Sequence, residues 1–341
     1  MRYNNMDIHN VACLVPCPEG GVRWLRVPET VYNKLEAPGG QFQARGCTGV
    51  ELRFVMNSST AVLKIQSLSS PDVTCTKQIF YGSIQGGWEC HELHSYIGTD
   101  LCEITIKQPA NLPLLDRITK ESGSDWDPRV VRVFLNHGNF RIVGIEGDVR
   151  PPEKSELPKK TLLTYGSSIT HGSNAIAAPN NWTSILAHNL NTDLINLGFA
   201  GSCYMEPEMA EYIAQEGELG HWDMATLELG INVLDWDVDK IRQRVTNTVS
   251  QIAGRNPKKP VFVISPFYCN DDFSKGGKRT GVWRKIIHEV CEELALPNVR
   301  YIDGTDILGS MRLISADAVH PNIYGVQQIA DRMTAIVKDH I

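Results

Sequence analysis

The chain has no basic tract. Its 33 lysines and arginines are interspersed with 39 aspartates and glutamates for a net charge of −6, so it lacks the positive stripe that nucleic acid or an anionic membrane attracts. Long apolar runs are missing too. The one near the N-terminus, residues 11–15, ends at Pro16 after five residues, too few for a signal-peptide core or a membrane span. A cytoplasmic protein with no nucleic-acid or membrane partner is expected. The nine cysteines follow no disulfide or zinc framework. Cys13 and Cys17 have no second pair nearby, and His91 and His94 stand closer than the four-residue spacing of helical zinc sites, so they read as surface residues. Free, mostly buried thiols and no metal are expected. Residues 275–280, KGGKRT, lack the spacing and preceding strand of a phosphate loop and read as a mobile surface loop beside the site.

What is present divides near residue 150. At 341 residues the chain exceeds the usual size of one domain. Residues 1–150 contain short segments rich in β-branched and aromatic residues, at 50–55, 60–66, 77–83, 102–107, 130–135 and 140–145, separated by Gly, Asn, Ser and Pro. Residues 129–136, RVVRVFLN, partly alternate, which predicts a strand with one wet face. No amphipathic helix pattern is evident there. An all-β sandwich of jelly-roll type is expected. Residues 151–160, PPEKSELPKK, hold three prolines and five charges and read as a linker.

From 161 to 341 apolar strands alternate with helical stripes. The strands are expected at 162–165, 193–197, 224–229, 260–265 and 299–303. The stripes are Trp182, Ile185, Leu186 and Leu190; Ile241, Val245, Thr248, Val249 and Ile252; and Val326, Ile329, Met333, Ile336 and Val337. This βαβ order predicts a parallel sheet covered on both faces, with reacting groups at the C-terminal strand ends.

Four motifs converge on that edge. In residues 161–172, TLLTYGSSITHG, a buried strand stops at Gly-Ser-Ser and presents Ser168, where a nucleophile needs to sit. Gly201 follows the second strand, and its lack of a side chain lets an N–H approach a bound oxygen. Asn232 follows the third strand and offers an amide donor. Asp317 and His320, three positions apart before the last helix, allow the carboxylate to reach one ring nitrogen while the other faces Ser168. Each residue has a plainer reading. Ser168, Asn232 and Asp317 can be caps, Gly201 a turn glycine and His320 a loop histidine. Trp182, Trp236 and Trp283 can stack on sugar rings or fill the core, and Trp182 lies on a buried stripe. His171 can contact substrate or shape the turn.

Ser168, Gly201, Asn232 and His320 in this order, with Asp317 ahead of the histidine, make residues 160–341 resemble the SGNH hydrolases, the GDSL-type esterase superfamily. The resemblance implies a flavodoxin-like three-layer α/β/α fold and a triad of Ser168, His320 and Asp317. It also implies an oxyanion hole from the N–H groups of Ser168 and Gly201 and the Asn232 amide, with no cofactor. Ser167 departs from the pattern: the family usually has the aspartate of Gly-Asp-Ser there, which puts the local support of the turn in doubt. A β-sandwich ahead of such a domain is similar to bidomain carbohydrate esterases. The implied substrate is a small-molecule or oligosaccharide ester of a short acyl group such as acetyl. An acyltransferase using the same acyl-enzyme, or a non-catalytic sugar-binding protein, remain as alternatives. The first domain can wall the pocket, act as a spacer or make a homo-oligomer.

Overall fold

The strand Thr60–Ser67 buries every second residue, as the two-residue period of a pleated strand requires when one face meets a core. In the computed structural model, which describes residues 1–87, 96–273 and 279–340, it lies in a five-stranded antiparallel sheet. The order is Cys13–Pro16, Val22–Leu25, Phe140–Glu146, Thr60–Ser67, Cys102–Lys107. A seven-stranded sheet runs Arg2–Tyr3, Met6–His9, Glu51–Met56, Val130–Asn136, Thr76–Tyr81, Ile84–Gln85, with Val149–Arg150 also paired to Glu51–Met56. Leu52, Phe54, Val131 and Val133 from the larger sheet share one buried cluster with Trp24, Leu63, Ile65 and Ile142 from the smaller. That shared core makes the unit a β-sandwich.

Two expectations for this unit are corrected. The outer face of Val130–Asn136 is not wet. The Arg132 guanidinium lies 3.8 Å from the centre of the Trp126 ring and bonds to Glu51 at 2.7 Å, a cover supplied by a tryptophan outside the strand that alternation could not reveal. There is also a helix, Leu112–Ser122, with Pro113 in its first turn and Gly123 closing it at φ 71°. Its apolar residues Leu114 and Ile118 are exposed, so no buried stripe betrays it. The His91 and His94 reading and most of the 275–280 loop lie outside the described residues.

The other unit holds a five-stranded parallel sheet in the order Asp193–Gly198, Thr161–Gly166, Met224–Glu228, Val261–Ile264, Val299–Ile302. In chain order this is 2-1-3-4-5. Leu162, Met224, Phe262 and Ile264 form one cluster with Trp182, Leu186, Ile329 and Met333 from the helices Trp182–Asn189 and Ile323–Lys338. Alternate strand residues, Leu163, Leu227, Val261 and Val263, are equally buried and point the other way. Helices Pro207–Glu218, Val238–Gly254 and Arg279–Leu294 pack side by side to cover that face. Three layers result.

Compactness groups Met1–Glu29, Ala44–Lys159 and Asn191–Asp193 in the first unit, and Thr30–Gln43, Lys160–Leu190 and Leu194–Ile341 in the second. Residues 30–43, inside the span read as sandwich, thus fall with the parallel sheet. Glu36 explains this, since its N–H donates to Glu206 at 3.1 Å and its carboxylate pairs with Arg244. Eight free cysteines are described, five of them buried. Among the described residues no helix is long and apolar enough to cross a membrane.

Candidate active site

The first parallel strand is buried almost throughout and stops at Gly166. Ser167 then caps a one-turn helix, Ser168–His171, its Oγ accepting the Ile169 N–H at 3.1 Å. Gly172, at φ 93°, ends the turn with its N–H on the Ser168 carbonyl. The turn sits hard on the second strand: a Cβ on Gly198 would stand 2.3 Å from the His171 nitrogen. Ser168, 8% exposed, is thereby held at the C-terminal end of the first strand.

The segment before the last helix folds back on itself. The Ser315 N–H donates to the His320 carbonyl at 2.8 Å, and Ala318 adopts φ 58°. Asp317 Oδ1 accepts the N–H groups of Val319 and His320, both at 2.9 Å, while Oδ2 lies 2.8 Å from His320 Nδ1. Asn174 Nδ2 donates to that same Oδ2 at 3.3 Å. Burial pushes the Asp317 carboxyl upward, but the two N–H groups and the imidazole outweigh it and hold the group at about 2. His320 Nε2 lies 2.7 Å from Ser168 Oγ. With the proton on Nδ1 given to Asp317, Nε2 accepts the Ser168 hydroxyl hydrogen. Asp317 does not cap the last helix; Asn322 does, accepting from Tyr324 and Gly325 at 3.0 Å.

Gly201 and Asn232 follow the two strands that flank the first. Gly201 has φ 63° and open space where a Cβ would point, so backbone conformation rather than crowding selects glycine there. Asn232 Oδ1 accepts the Cys203 N–H at 3.1 Å, which turns its amide NH2 the other way. The two motifs are thus linked through Cys203, two residues after Gly201.

The tryptophans are placed differently from a sugar platform. Trp283 is 2% exposed and its indole N–H donates to the Val233 carbonyl at 3.1 Å, so it is core. Trp182 is fully buried and donates to the Ile169 carbonyl at 3.0 Å, behind the serine turn. Trp236 is 9% exposed, meets Tyr204 edge-on and has Lys240 Nζ 3.8 Å from its ring centre; its face is occupied. His171 Nδ1 lies 3.3 Å from the Gly198 carbonyl, a contact from the turn to the end of the second strand. Ser168, Gly172, Asn174, Asn181 and His320 line a recess of about 10 Å³, room for one water.

One site residue escaped the sequence reading. Glu228 ends the third strand, Met224–Glu228, fully buried, and accepts the Ser167 N–H at 2.8 Å, the Ser167 hydroxyl at 2.7 Å and the Thr170 hydroxyl at 3.1 Å. Its signal was a lone acid closing an otherwise uncharged buried strand. It supplies the turn support that the missing Gly-Asp-Ser aspartate left open.

Residues 159–338 match the GDSL-like lipase/acylhydrolase family. A search of curated proteins finds no match. Among solved structures, the salicylyl-acyltransferase SsfX3 from a tetracycline biosynthetic pathway is 17% identical over 99% of this chain and 96% of that one, with a TM-score of 0.77. A family two carbohydrate esterase from Clostridium thermocellum, in complex with cellohexaose, is 15% identical over 86% and 94%, with a TM-score of 0.60. An acetyl xylan esterase from the rumen bacterium Butyrivibrio proteoclasticus is 11% identical over 99% and 96%, with a TM-score of 0.59. At these identities the structural likeness is one of fold. The family match spans more than half of the chain, and the chain belongs to the GDSL-like lipase/acylhydrolase family, as an acyl-ester hydrolase.

Proposed function

We propose that Ser168, His320 and Asp317 form the catalytic triad of an esterase that removes short acyl groups, acetyl foremost, from carbohydrates. The observation that carries this reading is the relay in which His320 lies 2.7 Å from Ser168 Oγ and 2.8 Å from Asp317. His320 takes the hydroxyl proton as Ser168 attacks the acyl carbonyl, and Asp317 orients the imidazole and stabilises its charged form. The N–H groups of Ser168 and Gly201 and the Asn232 amide receive the oxyanion. Loss of one such donor typically costs about 3 kcal/mol of barrier. The tetrahedral intermediate collapses to the Ser168 ester as His320 protonates the departing alcohol. Water, activated by His320, then releases the acid and restores the serine.

The short acyl group is favoured by the absence of a long apolar stretch after any strand that could act as a lipase-like lid, and by the water-sized recess beside the triad. The carbohydrate is supported by the likeness to family two carbohydrate esterases. A second reading has a sugar hydroxyl replace water as acyl acceptor, favoured by the TM-score of 0.77 to an acyltransferase. A panel of esters from acetate to palmitate, with acetylated sugars included, tests the proposal. Acetyl esters are expected to give the higher kcat/KM; a preference for octanoate over acetate overturns the short-acyl assignment. Comparing acetate release with transfer to added sugar separates hydrolysis from transfer.

A further inference from the structure

Glu228 lies directly beneath the nucleophile turn and takes no part in the scheme above. Three donors converge on its Oε2, two from Ser167 and one from Thr170, the residues bracketing Ser168 and Ile169. Its Oε1 is buried and has no partner among the described residues. The fit is close, since a Cβ on Gly166 would stand 2.7 Å from Oε2 and 2.4 Å from the Thr170 hydroxyl oxygen. The bonds also have a direction. Because the Ser167 hydroxyl spends its proton on Glu228, its oxygen is left to accept the Ile169 N–H, which starts the helical turn whose first residue is Ser168.

We propose that Glu228 is a positioning residue of this site: its carboxylate, by gathering Ser167 and Thr170 on one oxygen, aims the Ser168 hydroxyl at His320. The proposal rests on the assignment of Ser168 as nucleophile. A carboxylate accepts three donors without conflict, and charged acceptors make roughly twice the bond of neutral ones. A proton on Oε2 would compete with those donors, and one on Oε1 would find no acceptor.

Around Glu228, the turn offers hydroxyls and His171, which faces the Gly198 carbonyl. The loop after the second strand offers the Cys203 thiol, 3.8 Å from the Glu228 carbonyl oxygen, with Tyr165 and Glu206 beside that thiol. The paired residue on the fourth strand is Ile264. None of these is a lysine or arginine. Burial accordingly pushes the carboxyl up to about 7, against the bonds from Ser167 and Thr170 that favour the charged form. A group whose value is raised on folding stabilises the fold fully at acid pH, and that contribution is lost as pH rises through its folded value. The positioning form is the deprotonated one. Activity and stability therefore run in opposite directions with pH at this residue.

Glu228→Gln tests this, because it keeps the shape and an acceptor oxygen but cannot ionise. With an activated acetate ester, kcat is expected to fall about tenfold to a hundredfold with KM nearly unchanged. Labelling of Ser168 by a fluorophosphonate should slow by a similar factor. The acid limb of the kcat profile should lose the ionisation that Glu228 contributes to it. The melting temperature should match wild type at roughly pH 4, below the unfolded carboxyl value, and exceed it at roughly pH 8.5. Combining Glu228→Gln with Ser167→Ala should be no slower than the slower single variant, since one acts through the other. An unchanged kcat overturns the proposal, as does a slow variant that keeps the wild-type acid limb or melts lower at both pH values. Ser168→Ala in the same assays keeps the two readings apart, because full activity there removes the nucleophile itself.

Discussion

Two buried carboxyl groups, Glu51 in the sandwich and Glu228 in the parallel-sheet unit, show how surroundings rather than burial decide what an acid does. Glu51 is closed in by Arg53 at 2.9 Å and Arg132 at 2.7 Å, and although burial works the other way, the two guanidinium groups hold its carboxyl at about 2. Among the described residues Glu228 has only hydroxyl and N–H donors, and burial carries it to about 7. The first group is locked in one charge state and serves the fold. The second titrates where enzymes work, and sits under the turn that carries Ser168, the proposed nucleophile. Cations fix a charge, whereas neutral donors leave it adjustable.

The largest expected effects lie on the reactive side of this contrast. Ser168→Ala should abolish ester hydrolysis and leave the melting temperature nearly unchanged, while Ser167→Ala stays folded and partly active. Asp317→Asn should lose on the order of 10⁴ in kcat by favouring the wrong imidazole tautomer, though less than His320→Ala. Since Asp317 is held at about 2, it stays charged and keeps orienting His320 at any ordinary assay pH. Steady-state kinetics beside circular dichroism would decide. Full turnover in His320→Ala would require another base.

The sandwich side should respond in stability instead. Arg53 is 1% exposed and bonds to Glu51 and, at 2.7 and 2.6 Å, to Asp193, whose segment 191–193 belongs to the same unit. Arg53→Met would leave two buried carboxylates short of a partner, which costs about 3–5 kcal/mol. Denaturant titration should show that loss, with kcat per folded molecule unchanged. A fall in kcat without loss of stability would dissolve the contrast.

The same contrast has a signature in pH. Glu51 is lowered on folding, so it adds stability above its unfolded value near 4.5 that disappears as pH falls toward about 2. Glu51→Gln should therefore destabilise the protein at neutral pH and matter less in acid. Glu228→Gln has the opposite sense, since its benefit grows as pH rises from about 4.5 to about 7. Melting curves of the two variants across pH that ran parallel would show that their surroundings do not separate them.

The sequence carried this division unevenly. Strands of six or more residues, such as Thr60–Ser67 and Cys102–Lys107, were legible because they are long enough to show a period. The four N-terminal strands are two to four residues long, below the length at which alternation is readable. Ser168, Asp317 and His320 stood out because their motifs follow a strand or precede a helix at a fixed spacing. Trp283 could not be told from a platform, because its indole partner Val233 lies 50 residues away. Glu228 was hidden for a related reason: in an apolar run, one acid looks like the end of the strand until its three donors are seen.

The smallest expected effect concerns residues 30–43, which come from the sandwich half of the sequence but fold with the parallel sheet. Glu36 pairs with Arg244 through a side chain that is 41% exposed, and exposed pairs contribute at most about 1 kcal/mol. Its backbone N–H makes the less expendable bond, to the buried Glu206 at 3.1 Å, and a side-chain substitution leaves that bond in place. Glu36→Ala should therefore lower the melting temperature by no more than about 4 °C and leave kcat/KM for a small acetate ester unchanged. The segment also brings Gly39 close to the loop after Gly201: a Cβ there would stand 3.0 Å from Ser202 Oγ. Gly39→Ala beside Glu36→Ala then asks whether this part of the first half only braces the second or also shapes its reactive edge. Loss of activity on acetylated sugar but not on the small ester, in Gly39→Ala alone, would place the segment at the substrate. Equal loss in both variants would mean that it acts through stability.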